Sequence, residues 1–136
     1  MAKADIEISL QGGEAVHGMQ RYRPGEVVHG NFTVFPDEGV KCSHLYVRLL
    51  WHTEGRGTRF QEVIGEEDIF QGEFQAGMPR SFDFQFLLPN EPWSYEGHYI
   101  NVVWGIEVQI DVPWSKDPKQ TAHFILSPNR ETAVSW

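Results

Sequence analysis

Cysteine is almost missing: Cys42 is the only one in 136 residues, so an internal disulfide and a cysteine-built zinc site are both excluded. Basic residues are scarce too. There are 11 Lys and Arg against 19 Asp and Glu, a formal charge of −8, whereas a nucleic-acid binder needs a cationic footprint on the phosphates. Nucleic acid is therefore not an expected partner, and an anionic membrane surface is disfavoured by the same charge.

Long apolar runs are absent as well. Nothing approaches the roughly 20 consecutive apolar residues of a membrane span, so no membrane insertion is expected. The opening Met1-Ala2-Lys3-Ala4-Asp5-Ile6-Glu7 lacks the apolar stretch of a secretion signal, and the expected location is the cytoplasm. Asn31-Phe32-Thr33 spells a glycosylation acceptor, read here as accidental for want of that signal.

What is present suffices for one core. The chain is 40% hydrophobic and 13% aromatic, enough apolar side chain to offset backbone ordering. Domains usually run about 100–200 residues, which leaves room for one. The expected organisation is a single domain over 1–128 followed by a tail over 129–136.

The dominant period is two, the mark of strands with alternating faces. Ile100, Val102, Trp104, Ile106, Val108, Ile110 and Val112 share one face, with Asn101, Glu107, Gln109 and Asp111 on the other. This reads as one long strand or as two joined at Gly105, a glycine that signals a bulge or a close backbone approach. Phe82, Phe84, Phe86 and Leu88 repeat the pattern, as do Leu45, Val47, Leu49 and Trp51. Further strands are expected at about Asp5 to Leu10, Glu26 to Phe35, Thr58 to Phe70 and Thr121 to Leu126, with a hairpin loop at His52 to Thr58. No helical stripe is convincing. Glu62 to Ile69 comes nearest, and Gly65 weakens it.

Each such strand has one greasy face that a second sheet must cover. The expected fold class is all-β: an immunoglobulin-like antiparallel β-sandwich of seven to eight strands. Barrel closure would satisfy the same pattern.

Tyr22-Arg23-Pro24-Gly25-Glu26-Val27-Val28-His29-Gly30 resembles the amino-terminal domain of the arrestin family, where a Tyr-x-Pro-Gly-(Asp/Glu)-x-Val-x-Gly turn leads into a strand of the sandwich. Val40 to Trp51, Trp93-Ser94-Tyr95-Glu96-Gly97 and the closing Phe124-Ile125-Leu126-Ser127-Pro128 are similar to later segments of that domain. The resemblance runs from Asp5 to Pro128. It implies an arrestin-like sandwich and a protein-binding role. Arrestins proper have two sandwiches, and this chain has residues for one. Receptor-type members also sense phosphate with basic residues on and near the first strand, where this sequence has Asp5 and Glu7.

Cys42-Ser43-His44 puts nucleophile and base types together, yet a packed thiol beside a solvated imidazole explains it better than catalysis. His17, His29, His44, His52, His98 and His123 show no metal-ligand spacing, and Glu62, Glu66, Glu67, Asp68 and Glu73 read as a solvated acidic face. No catalytic residue, cofactor or metal ligand is assigned.

Trp51 and Trp104 are core candidates, while Trp93 and Trp114 lie beside prolines in loops. The expected function is a non-enzymatic protein-interaction or scaffold module, binding a protein partner through an edge strand or end loops. Ile6 and Ile8 on the first strand, with Trp93 and Trp114, are the candidate contact residues. The same edge could pair with itself in a homodimer. The alternative is a carbohydrate-binding β-sandwich whose platform is Trp93, Trp114 and Tyr95.

Overall fold

Alternating apolar and polar residues commit most of this chain to extended backbone. The computed structural model describes residues 4–57, 59–97 and 100–128, and the expected tail at 129–136 lies outside them. Its strands are Ala4–Gln11 (β1), Glu14–Val16 (β2), Met19–Tyr22 (β3), Val27–Pro36 (β4), Val40–Cys42 (β5), His44–Gly55 (β6), Gln61–Asp68 (β7), Gly72–Phe74 (β8), Arg80–Leu87 (β9), Tyr95–Glu96 (β10), Ile100–Asp111 (β11) and Lys119–Leu126 (β12). Seven of these have eight residues or more, in keeping with the count read from the sequence. The rest are short additions.

The smaller sheet has the order β1-β4-β9, and the larger runs β2-β3-β12-β11-β6-β7 with β10 added beside β11. β5 and β8 pair separately. All pairings are antiparallel except β3 with β12. The longest ladder joins β6 to β11 without a break, from Ile100 opposite Gly55 to Asp111 opposite His44. The expected long strand is therefore one strand, and Gly105 does not divide it. Its glycine serves close approach: a Cβ there would lie 2.9 Å from Thr121 Cγ2 on β12.

The core lies between the two sheets. Leu45, Val47 and Leu49 of β6 and Trp104, Ile106, Val108 and Ile110 of β11 are fully buried against Val28, Phe32 and Val34 of β4. Phe32 stacks on Phe82 at 5.3 Å. Tyr22 packs edge-on against Phe124 at 5.5 Å, and its hydroxyl donates to the Gln11 carbonyl at 2.7 Å. Burial, then the nearby Glu26 carboxylate, pushes that phenol up to about 12, so it stays a donor at every physiological pH.

Two details depart from simple alternation. Trp51 shares the inner face with its partner Trp104 but is only half-buried, covered by Phe60 at 5.3 Å. Leu50 and His52, on the opposite face, are buried. In addition, β7 slips register against β6 between Leu49 and Leu50, leaving Ile64 as an extra residue, as in a β-bulge.

The motif at residues 22–30 works as its chemistry requires. Glu26 donates its N–H to the Arg23 carbonyl at 3.0 Å, closing a turn in which Gly25 holds φ at 84°, a conformation glycine adopts without steric cost. Farther along β4, Gly30 faces Leu10 across the β1 ladder. A Cβ at Gly30 would collide with the Ser9 carbonyl oxygen and lie 3.1 Å from Leu10 Cα.

Truncating Phe32 to alanine should cost about 3–5 kcal/mol in urea denaturation, and Gly30→Ala about 1–3 kcal/mol through overpacking. A Gly30→Ala protein within about 0.5 kcal/mol of wild type, as for an ordinary surface change, would show that β1 and β4 do not approach so closely.

Candidate protein-binding edge

β1 is an edge strand. Alternation sends Ala4, Ile6 and Ile8 toward the core and Asp5, Glu7 and Ser9 to solvent, and only Ala4 and Ile6 become fully buried. The strand bonds to β4 on one side and to no strand on the other among the described residues. On that open side lies a slot of about 370 Å³ between residues 4–7 of β1 and Pro118, Lys119 and Gln120 at the start of β12. Over Lys119–Phe124, β12 likewise bonds only to β11 among the described residues. Two unpaired backbone edges thus flank one seam, and such edges present free N–H and C=O groups.

Ile6 and Ile8 therefore contribute backbone to this edge while their side chains support the core, Ile8 as a half-buried neighbour. A sequence reading could find the strand. It could not find the opposite wall, because Pro118 to Gln120 lie more than 100 residues away in the chain.

Trp114 stands on the turn between β11 and β12, four residues before Pro118. It is fully exposed, and its φ of 60° belongs to a region disfavoured for residues with a Cβ, at a cost of about 1–3 kcal/mol. The turn is held from within. Asp117 accepts hydrogen bonds from the Val112 N–H at 3.0 Å and from Gln109 Nε2 at 2.7 Å, while Ile110 N–H donates to the Pro118 carbonyl at 3.0 Å.

Trp93 lies elsewhere. It is exposed, with Nε1 donating to the Asn90 carbonyl at 2.9 Å, next to Ser94, whose N–H bonds the Leu126 carbonyl. Tyr95 pairs with Val102, near the start of β11, whereas Trp114 follows its end. At about 3.4 Å per residue the strand between them spans roughly 30 Å. The platform of Trp93, Trp114 and Tyr95 expected for a carbohydrate site is therefore corrected: Trp93 and Tyr95 share one end of the sandwich and Trp114 occupies the other.

The remaining chemistry is structural in character. Cys42 is buried, its thiol donating to the Phe70 carbonyl at 3.7 Å. His44 turns to Asp68 instead, Nδ1 to Oδ2 at 2.6 Å. His52 Nε2 meets Glu54 at 2.7 Å, and its ring centre lies 6.0 Å from that of His123. No group of three or more His, Cys, Asp or Glu among the described residues is arranged to hold a metal ion.

The acidic run does more than face water. Glu66 binds Arg48 Nε at 2.5 Å, Asp68 accepts from His44 and from the Leu45 N–H, and Glu62 accepts from Trp51 Nε1 at 3.1 Å. These bonds fasten the exposed β7 to β6. Arg48 also reaches Glu107 at 3.0 Å and Gln109 at 2.6 Å on β11, spanning three strands. The sequence offered no signal for this hub, since its partners lie 18, 59 and 61 residues away.

No family model matches the chain, and no curated protein matches it in sequence. Among solved structures it is similar to Spo0M, the sporulation control protein of Bacillus subtilis, with a TM-score of 0.69 at 19% identity. The match covers 93% of this chain and 50% of that one, so this chain spans half the length of its neighbour. At that identity the likeness is one of fold, an arrestin-like β-sandwich. No helix among the described residues is long and apolar enough to cross a membrane.

Burial first, then the carboxylates of Asp68 and Asp111, pushes the Cys42 thiol up to about 11. The reactive species is the thiolate, so the native protein at pH 7 should react with a thiol reagent at a small fraction of the rate seen in denaturing urea. Equal rates in the two conditions would mean that Cys42 is neither buried nor held protonated.

Proposed function

We propose that this arrestin-like sandwich is a non-enzymatic protein-interaction module that takes an extended segment of a partner onto the β1 edge. The observation that supports the reading is the seam: among the described residues β1 is hydrogen-bonded on one side only, with the slot of Pro118 to Gln120 beside it. In β-strand addition the main chain supplies the bonding, and alternate side chains supply the selectivity. Trp114 suits a supporting contact from the same end, because exposed aromatic side chains dominate interface energetics. The fold of Spo0M, named as a sporulation control protein, is compatible with a regulatory module of this kind.

Self-pairing is less well served. An antiparallel β1–β1 pair centred on Ile6 would set Asp5 of each copy against Glu7 of the other, and like charges directly opposite are destabilising.

A panel of extended peptides, selected on the immobilised protein and then added in solution, should slow hydrogen exchange at the outward-facing amides of β1. Ile6→Pro, which removes a ladder donor, should abolish that binding while circular dichroism still reports a folded sheet protein. If the selected peptides leave β1 exchange unchanged, or bind folded Ile6→Pro as tightly as wild type, recognition through this edge is wrong.

A further inference from the structure

The seam has a charge pattern that restricts what can occupy it. Asp5 and Glu7 alternate with Ile6 and Ile8 along β1, acids outward and apolar side chains toward the core. Ala4 lies opposite Pro36 at the end of β4, and the chain continues there into exposed Asp37 and Glu38. None of these four carboxylates has an ion pair among the described residues. Of the four, Asp5 and Glu7 line the slot, whose far wall presents one cation, Lys119.

A strand added to β1 must place its side chains in the same alternation, because directly opposite residues of paired strands share a face. Positions across from Asp5 and Glu7 lie on the acidic outer face, and those between them turn toward the apolar interior. From this, resting on the edge-strand reading above, we infer that the partner segment is an extended peptide in which Lys or Arg alternates with apolar residues. An acidic or phosphorylated strand would be repelled at both outward positions. A second copy of β1 would be repelled for the same reason.

The test uses the whole chain and labelled synthetic peptides, read by fluorescence anisotropy. The probes are an alternating Lys-Val peptide, its Glu-Val counterpart, a peptide of the same Lys and Val content in two blocks, and two forms of the first N-methylated at alternate amides in either phase. The Lys-Val peptide should bind about tenfold or more tighter than the Glu-Val peptide, since two attractive cross-strand pairs are exchanged for two repulsive ones. That preference should shrink as salt is raised. The block peptide and one of the N-methylated forms should bind weakly.

Asp5→Lys/Glu7→Lys should reverse the preference. Should that variant lose its fold by circular dichroism, Asp5→Asn/Glu7→Gln replaces it and should erase the preference. If the Glu-Val peptide binds wild type as well as the Lys-Val peptide and N-methylation abolishes both, the edge reading stands and the charge inference is overturned. If both N-methylated forms bind like the parent, or no peptide binds, the edge reading fails and the inference fails with it. Equal binding by block and alternating peptides would mean general attraction to an acidic protein, which overturns the inference.

Discussion

The ladder between β6 and β11 is the constraint on which the rest depends. Twelve residue pairs run without interruption from Ile100–Gly55 to Asp111–His44, and one face of that double strand supplies much of the buried surface. Because the pair is continuous, the inward side chains of both strands stay in phase, and a second sheet can cover them along the whole length. Its length also sets distances. The loops at its two ends cannot converge on one site, which is why the exposed tryptophans serve different regions of the surface.

Edges are the complementary constraint, since a sandwich of two open sheets leaves strands with unpaired backbone. β7 is kept in place by side chains: Arg48 clasps Glu66 on one neighbour and Glu107 on the other, and His44 and Trp51 bind further acids of the same strand. At β1 the acids carry no such partners among the described residues. Like charges set directly opposite in a β1–β1 pair would be destabilising. Carboxylates thus stand in opposite settings at two edges: at β7 they hold the strand to the sheet, and at β1, in the reading proposed above, they would select what joins it.

Much of this architecture was legible beforehand. Period-two alternation identifies β6, β9 and β11 and most of their buried apolar residues, because a half-buried strand leaves its phase in the sequence; β12, with Phe124, Ile125 and Leu126 buried in succession, carries no such phase. Pro24-Gly25 announced its turn for an equally local reason: proline presets φ, and glycine accepts the positive φ that follows. Partners far apart in the chain were not legible. Nothing near Arg48 indicates that Glu66, Glu107 and Gln109 will surround it, and nothing near Ile6 indicates that Pro118 to Gln120 will form the facing wall.

Fold class, the faces of the long strands and the acidity of β1 follow from residue type and from positions a few residues apart. Tertiary structure decided whether those features meet. Among the described residues it left one side of β1 unpaired, set a slot beside it, turned Trp114 fully outward at the same end and sent Trp93 to the other. The physical reason is that strand order and sheet packing join residues across the whole chain, and a pattern with a period of two carries no information about which strands become neighbours.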